Sequence, residues 1–254
     1  DAGEGGELAA KLALSEAAGF PLDDNPHDVA RLSGQSPGEG QQSMFVTAAE
    51  TEAASRALAA VVTGAGLRVE RFIPAQVMAL LDASRAITVQ PSGSSVALHI
   101  SDHVMALVAG IDGRISVARL IMMGTENFIS AMARVITVSG REPFSLSKVQ
   151  ILGMLQQTGF PARGKPSGVV EGLSGDVILP LVAPVLQRAA VELKQSLRFA
   201  LAEKDRAGTT VIPLGSGSAI RGFADAVAFQ AGLPPCRASD DVDGVSRSEE
   251  RPVA

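Results

Sequence analysis

The alternation of hydrophobic and polar positions predicts helices and strands in turn along the first part of the chain. Residues 8–18 are rich in Ala, Leu, Lys and Glu, which favours a helix, and residues 1–7 have the composition of a flexible start. GFPLDDNPHD then breaks the helix with two prolines and leads into a short strand near residues 28–32. The next stretch, SGQSPGEGQQ, has the composition of a loop.

A second set of elements follows this loop. SMFVTAAE predicts a buried strand, and Thr51 is placed to cap a helix that runs to the glycines of TGAG. The alternating sequence LRVERFI predicts another strand, and Pro74 opens the helix AQVMALLDA. Strand, helix, strand and helix in this order indicate an α/β lobe.

The second part of the chain begins with a pattern typical of a sheet. Strand-like runs follow one another at residues 96–100, 104–111 and 115–122. The Asp112-Gly113 pair between the last two indicates a tight hairpin. The longest helix is expected over residues 176–203, where Pro180 and Pro184 should confine regular helix mainly to the part after them.

Composition narrows the possible function classes. The net charge is −5 and aromatic residues make up 4%, with neither Trp nor Tyr, so we expect no basic groove or base-stacking platform for nucleic acid. Cys236 is the single cysteine, which excludes an intrachain disulfide framework. The most apolar run, VILPLVAPVL, is shorter than the ~20 residues that a membrane-spanning helix needs.

A glycine-rich turn is the first candidate binding motif. TTVIPL predicts a strand that runs into GSGSAIRG and a helix. The glycines would let the backbone approach a ligand, and the start of the helix would present N–H groups to a phosphate or ribose-phosphate. The candidate contacts are Gly215, Ser216, Gly217 and Ser218. The alternative is a tight turn whose glycines serve packing, and both interpretations stay open.

The hairpin LHISDHVMALVAGIDG is the second candidate. A metal–phosphate loop needs an aspartate for Mg²⁺ or its water and a glycine where the backbone meets oxygen anions. Here His99 stands at the place of the aspartate, and it is not a hard oxygen ligand. Ser101 stands at the place of the glycine, and it carries a Cβ. Asp102 could take over only if the turn were shifted. Ser101 and Asp102 are the candidate contacts on this side, and a plain β-hairpin is the alternative.

No catalytic set is evident in the sequence. It contains no glycine-Lys-Ser/Thr phosphate loop and no nucleophile elbow. His99 and His103 are separated by a step that suits a helix and not the predicted strand, so we assign no metal site. We assign no catalytic residue either.

Taken in order, these pieces resemble the PilM family, actin-like proteins of type IV pilus assembly, with GspL and FtsA as more distant relations. The resemblance covers roughly residues 8–235. It is carried by EAAGFPLDDNPHDVARL, by MFVTAAETEAASRALAAVVTGAGLRVERFIPAQVMALLDA, by VALHISDHVMALVAGIDGRISVARLIMMGTENFISAMARVI, and by VILPLVAPVLQRAAVELKQSLRFAL with TTVIPLGSGSAIRGFADAVAFQAGLP.

The resemblance implies a two-lobed α/β fold of the actin-like, ribonuclease H-like type, with a first lobe incomplete at its N-terminus. Residues 8–90 would form that lobe with the family's extra subdomain. Residues 91–235 would form the second actin-like lobe, and residues 236–254 a disordered tail.

The resemblance also implies a degenerate nucleotide site. The family's first phosphate loop lies on strands that precede the residues matched here. Its second loop reads like Asp-Ile-Gly, where this chain has His99, Ile100 and Ser101, and its third glycine loop is altered at Ser216. These losses imply a pseudo-ATPase without hydrolysis. Whether the cofactor is ATP with Mg²⁺ or none stays open.

By resemblance, the protein is expected to be a cytoplasmic scaffold held at the inner membrane by a partner. The partner would be the cytoplasmic tail of a PilN-like inner-membrane protein, bound in a groove of the first lobe and linked to pilus motor or platform proteins. Self-association is expected if strand edges are left uncovered. The competing hypothesis is an ATP-binding actin-like ATPase or small-molecule kinase, which would depend on Asp102.

Overall fold

The computed structural model describes residues 2–31, 45–90, 92–137, 142–166 and 173–236. The predicted loop at 33–42 and, apart from Cys236, the predicted tail at 236–254 lie outside these residues. The helices are α1 (Ala2–Ala18), α2 (Glu52–Gly64), α3 (Ala75–Thr88), α4 (Thr125–Met132), α5 (Lys148–Thr158), α6 (Gly175–Ala200), α7 (Glu203–Arg206) and α8 (Phe223–Gln230). The strands are β1 (His27–Arg31), β2 (Phe45–Ala49), β3 (Ser94–Ile100), β4 (Met105–Ile111), β5 (Arg114–Ile121), β6 (Val135–Ile136), β7 (Phe144–Ser145) and β8 (Thr210–Leu214), with a 3₁₀ helix at Ser216–Ala219.

A four-stranded sheet in the order β5-β4-β3-β8 forms the centre of the second lobe. The strands β3, β4 and β5 are antiparallel neighbours, whereas β8 pairs with β3 in parallel. The predicted hairpin at Asp112-Gly113 is confirmed. Both residues have positive φ, at 51° and 72°, as a tight hairpin turn requires.

The sheet is covered by helices on both faces. Alternate residues of β3 enter the two sides, with Val96 and Leu98 on one and Ala97 on the other. Helix α3 packs against the Ala97 face, while α4, α5, α6 and α8 cover the larger core on the opposite face. A sheet buried on both faces explains why β3 and β4 read as nearly continuous apolar runs.

Helix α6 differs from the prediction that its prolines would confine regular helix to the part after them. It runs as helix from Gly175 through both Pro180 and Pro184, so the prolines do not confine it to the later part. The same apolar face is buried along the helix, from Ile178 and Val182 before Pro184 to Leu193 after it. This burial offsets the backbone hydrogen bonds that the prolines remove. None of the described helices is both long and apolar enough to cross a membrane.

Within the predicted first lobe (residues 8–90), the part before α3 contains α1, the antiparallel pair β1 and β2, and α2. Helix α1 begins at Ala2 and not at Leu8, so the described part of the predicted flexible start is helical. Thr51 caps α2 as predicted, since its hydroxyl accepts a hydrogen bond from the Ala54 N–H at 3.3 Å. Strand β2 is half-buried and not buried as expected.

The predicted strand at LRVERFI is wrong. Residues 67–73 belong to no helix or strand, and they join neither the β1–β2 pair nor the central sheet. Alternating apolar residues favour a strand but supply no neighbour for its N–H and C=O groups. A strand forms only where another strand pairs with it, and the described residues offer none here.

The aromatic cluster under α8 provides a test of the core. Phe223 lies 4.8 Å from Phe128 and 5.2 Å from Phe160 between ring centroids. We expect Phe223→Ala to lower the free energy of unfolding by about 3–5 kcal/mol, because it leaves a cavity among these rings. Chemical denaturation followed by circular dichroism measures this change.

Phe229→Ala on the same helix is the matched control. Its side chain is 77% exposed, so the substitution should change the free energy of unfolding by no more than about 0.5 kcal/mol. Similar losses for the two variants would contradict this packing of α8.

Candidate functional site

The candidate site lies where β3 and β8 end. The two strands are parallel and adjacent, with His99 opposite Leu214, so the segments that follow them emerge at one edge of the sheet. Ligand sites of open α/β sheets typically lie beyond the carboxyl ends of such strands. The structure therefore brings together the predicted contacts, which are Ser101, Asp102, Gly215, Ser216, Gly217 and Ser218.

Asp102 connects three of the elements around this edge. Its Oδ1 accepts a hydrogen bond from the Thr125 hydroxyl of α4 at 3.1 Å and one from the Ser216 hydroxyl of the glycine turn at 3.4 Å. The Asp102 side chain thus lies between the start of α4 and the glycine turn. Thr125 is not among the contacts predicted from the sequence, because only the fold brings the start of α4 next to Asp102.

The N-terminus of α4 is closed by the hairpin turn. The Thr125 N–H donates to the Ser101 carbonyl at 3.0 Å, and the Glu126 N–H donates to the Asp102 carbonyl at 2.9 Å. The Asn127 side chain accepts from the Gly124 N–H at 2.9 Å. Free N–H groups are what make a helix N-terminus attractive to phosphate. Here these donors are already bonded within the chain.

The glycines of the turn after β8 are required for packing. A Cβ on Gly215, which has φ 78°, would lie 2.5 Å from the Ile100 carbonyl oxygen, and one on Gly217 would lie 2.6 Å from Ile100 Cγ2. The Ser218 hydroxyl donates to the Gly215 carbonyl at 2.7 Å. The turn continues into the 3₁₀ helix, and α8 begins only at Phe223, so the expected α-helix does not follow the glycines directly.

His99 stands at the end of β3 beside α3. Its Nε2 lies 3.9 Å from Asp82 Oδ2, and its Nδ1 is buried with no hydrogen-bond partner among the described residues. The contact with Asp82 could not be identified from the sequence, because only the packing of α3 on the sheet brings the two residues together. Within the part of the chain that the structure describes, no group of His, Cys, Asp and Glu could hold a metal ion.

Cys236 is not activated as a nucleophile. Burial, followed by the charge of Asp225, raises the pKa of its thiol to about 12. The thiolate is the reactive form, so the thiol stays inert at neutral pH.

A separate cavity of about 200 Å³ lies in the first lobe. The ends of β1 and β2 line it together with the segment before α3, through mainly small or apolar residues that include Pro26, Ala48, Ala49, Phe72 and Pro74. The resemblance to the PilM family implies a partner groove in this lobe but does not assign its residues.

Comparisons with solved structures show what this architecture resembles; no family model and no curated protein matches the sequence. A chain of the PilM–PilN type IV pilus biogenesis complex superimposes with a TM-score of 0.60 at 22% identity over 89% of this chain. The fold is actin-like. MreB5 of Spiroplasma citri bound to AMPPNP matches 76% of the chain at 18% identity and a TM-score of 0.48, and the archaeal actin homologue Ta0583 matches 66% at 17% and 0.42.

This actin-like chain is shorter than the structures that it matches. It spans 60% of the chain from the PilM–PilN complex and 61% of the MreB5 chain. The expected actin-like α/β fold is confirmed.

Gly124 tests the contact between the hairpin turn and α4. A Cβ at this position would lie 2.3 Å from the Ser101 carbonyl oxygen, which is backbone and cannot rotate away. We expect Gly124→Ala to lower the free energy of unfolding by about 1–3 kcal/mol, as overpacking does, in a denaturant titration.

Gly153→Ala in α5 should have the opposite effect. A Cβ there meets nothing within 4 Å, so Ala should stabilise the helix by about 0.5–1 kcal/mol. If both variants shifted stability in the same direction, the close approach at Gly124 would be refuted.

Proposed function

We propose that this protein is an actin-like scaffold of type IV pilus assembly, or of a related secretion system. It binds the cytoplasmic tail of a PilN-like inner-membrane protein and thereby sits on the cytoplasmic side of that membrane. The observation that supports the proposal is the likeness to a chain of the PilM–PilN complex over 89% of this chain. Pilus motor or platform proteins would be reached through the same scaffold.

The site at the ends of β3 and β8 supports a scaffold without ATP hydrolysis. His99 occupies the place where the resemblance puts an aspartate, and an imidazole is a poor ligand for Mg²⁺, which prefers oxygen. The N–H groups of Thr125 and Glu126 donate to backbone carbonyls of the hairpin turn and are withdrawn from any phosphate. Hydrolysis needs donors or a metal that stabilise the transferring phosphoryl group.

The second candidate function is nucleotide binding with turnover, as in an ATPase or small-molecule kinase. The observation that favours it is the position of the Asp102 carboxylate between the start of α4 and the glycine turn. In an enzyme, the Asp102 carboxylate could hold Mg²⁺ together with ATP. In a scaffold, which needs no cofactor, the contacts of Asp102 with Thr125 and Ser216 give this residue a structural role.

The first-lobe cavity is the groove that we propose for the partner peptide. Its mainly small or apolar lining, at the end of the β1–β2 pair where His27 faces Ala49, suits side chains of a short peptide. Ala49 at the end of β2 is half-buried, so a larger side chain there would occupy the groove.

Peptide binding tests the proposal. The probe is a fluorescein-labelled peptide with the cytoplasmic N-terminal sequence of the PilN-like protein from the same organism. We expect saturable binding by fluorescence anisotropy, and a rise of about tenfold or more in Kd for Ala49→Arg, because the arginine fills the groove.

Ala60→Arg, on the exposed surface of α2, is the matched control and should leave Kd unchanged. Circular dichroism confirms that both variants fold. No binding by the unmodified protein, or equal losses in the two variants, would refute the proposed partner groove.

A further inference from the structure

The side of helix α6 that points away from the core is basic in its second half. Arg188, Lys194 and Arg198 are exposed there, together with Val191 and Phe199, which are 53% and 84% exposed. We call these five residues the basic face. They are related by steps of three, four or eleven residues along the helix, so they share the side opposite the buried stripe.

One acidic residue borders the basic face, and it is already paired. The Glu192 carboxylate lies 3.2 Å from the guanidinium group of Arg119 on β5. The other acidic residue of α6 is Asp176, in the first turn of the helix. The whole chain has a net charge of −5, so an attraction to anions has to come from cations gathered on one surface.

Cations combined with exposed apolar side chains match the chemistry of an anionic lipid surface. Arg and Lys side chains are long enough to reach lipid phosphates while their aliphatic stems lie along apolar surface. An exposed phenylalanine gains by entering the boundary between headgroups and acyl chains. The basic face extends from Arg188 to Phe199, which is about 16 Å at the rise of an α-helix.

We propose that the basic face docks on an anionic membrane surface. Arg188, Lys194 and Arg198 would contact the lipid phosphates, and Phe199 would lie among the headgroups. A lipid surface suits this face because it attracts the cations and accommodates the apolar side chains at the same time. The proposal does not depend on the peptide groove, which lies in the first lobe, and it can be tested without the pilus partner.

Co-sedimentation of the purified chain with lipid vesicles tests the proposal. We expect binding to vesicles of phosphatidylglycerol mixed with phosphatidylcholine, little binding to phosphatidylcholine alone, and weaker binding as the salt concentration rises. The variant Arg188→Glu/Lys194→Glu/Arg198→Glu should bind the mixed vesicles at least about tenfold more weakly, because three attractive charges become repulsive.

Arg56→Glu/Arg68→Glu/Arg71→Glu is the matched control. It changes the net charge by the same amount through exposed residues of the first lobe. Charges that do not face the membrane are screened by salt, so the vesicle affinity of this variant should fall by less than about twofold. Circular dichroism confirms that both triple variants fold.

A tryptophan at position 199 tests whether the basic face reaches the lipid. The sequence contains no Trp, so Phe199→Trp provides a single indole signal. Its emission should shift to shorter wavelength on addition of the mixed vesicles, because the ring moves from water into the headgroup region. Leu58→Trp, at an exposed position of α2, is the control, and its emission should not shift.

A chain that does not bind the anionic vesicles overturns the proposal, and this is the result expected if another segment or protein covers the basic face. Equal losses of affinity in the two triple variants, or equal emission shifts for the two tryptophans, also overturn it. Binding to polyglutamate without binding to vesicles would overturn it as well, and would identify an acidic protein segment as the occupant.

Discussion

The parallel pairing of β3 with β8 is the constraint on which the candidate site depends. It joins two distant parts of the sequence, with Ser95 opposite Thr210, and it directs the hairpin turn and the glycine turn to one edge of the sheet. The glycines at 215 and 217 permit this pairing because any Cβ there would collide with the end of β3. At this edge, the Asp102 carboxylate accepts hydrogen bonds from Thr125 of α4 and from Ser216 of the glycine turn.

The parts of this arrangement that depend on neighbours in sequence could be predicted. The Asp112-Gly113 hairpin and the Thr51 cap each follow from the local chemistry of a few residues. Contacts between distant residues could not be predicted. The contact of His99 with Asp82 is an example, because the spacing of the two residues in the sequence does not indicate it. Of the candidate contacts, Asp102 and Ser216 meet in a hydrogen bond, whereas the buried Gly217 serves packing.

The expectations that proved wrong share a physical cause, which is that tertiary contacts override local preference. The prolines of α6 remain inside a helix because burial of one continuous face outweighs the lost hydrogen bonds. The strand predicted at residues 67–73 does not form, because no strand among the described residues lies beside it. Among the described residues before α3, the buried apolar residues are Leu14 and Leu22, so this part of the chain has little core of its own.

The central proposal is an actin-like scaffold that does not support metal-dependent nucleotide chemistry. A titration of the purified chain with a fluorescent ATP analogue, with and without Mg²⁺, tests it most directly. The account predicts no binding, or weak binding that Mg²⁺ does not alter, because the helix α4 donors are occupied and His99 replaces the expected carboxylate. Tight binding that requires Mg²⁺ and is lost in Asp102→Ala would contradict the scaffold and establish a working nucleotide site.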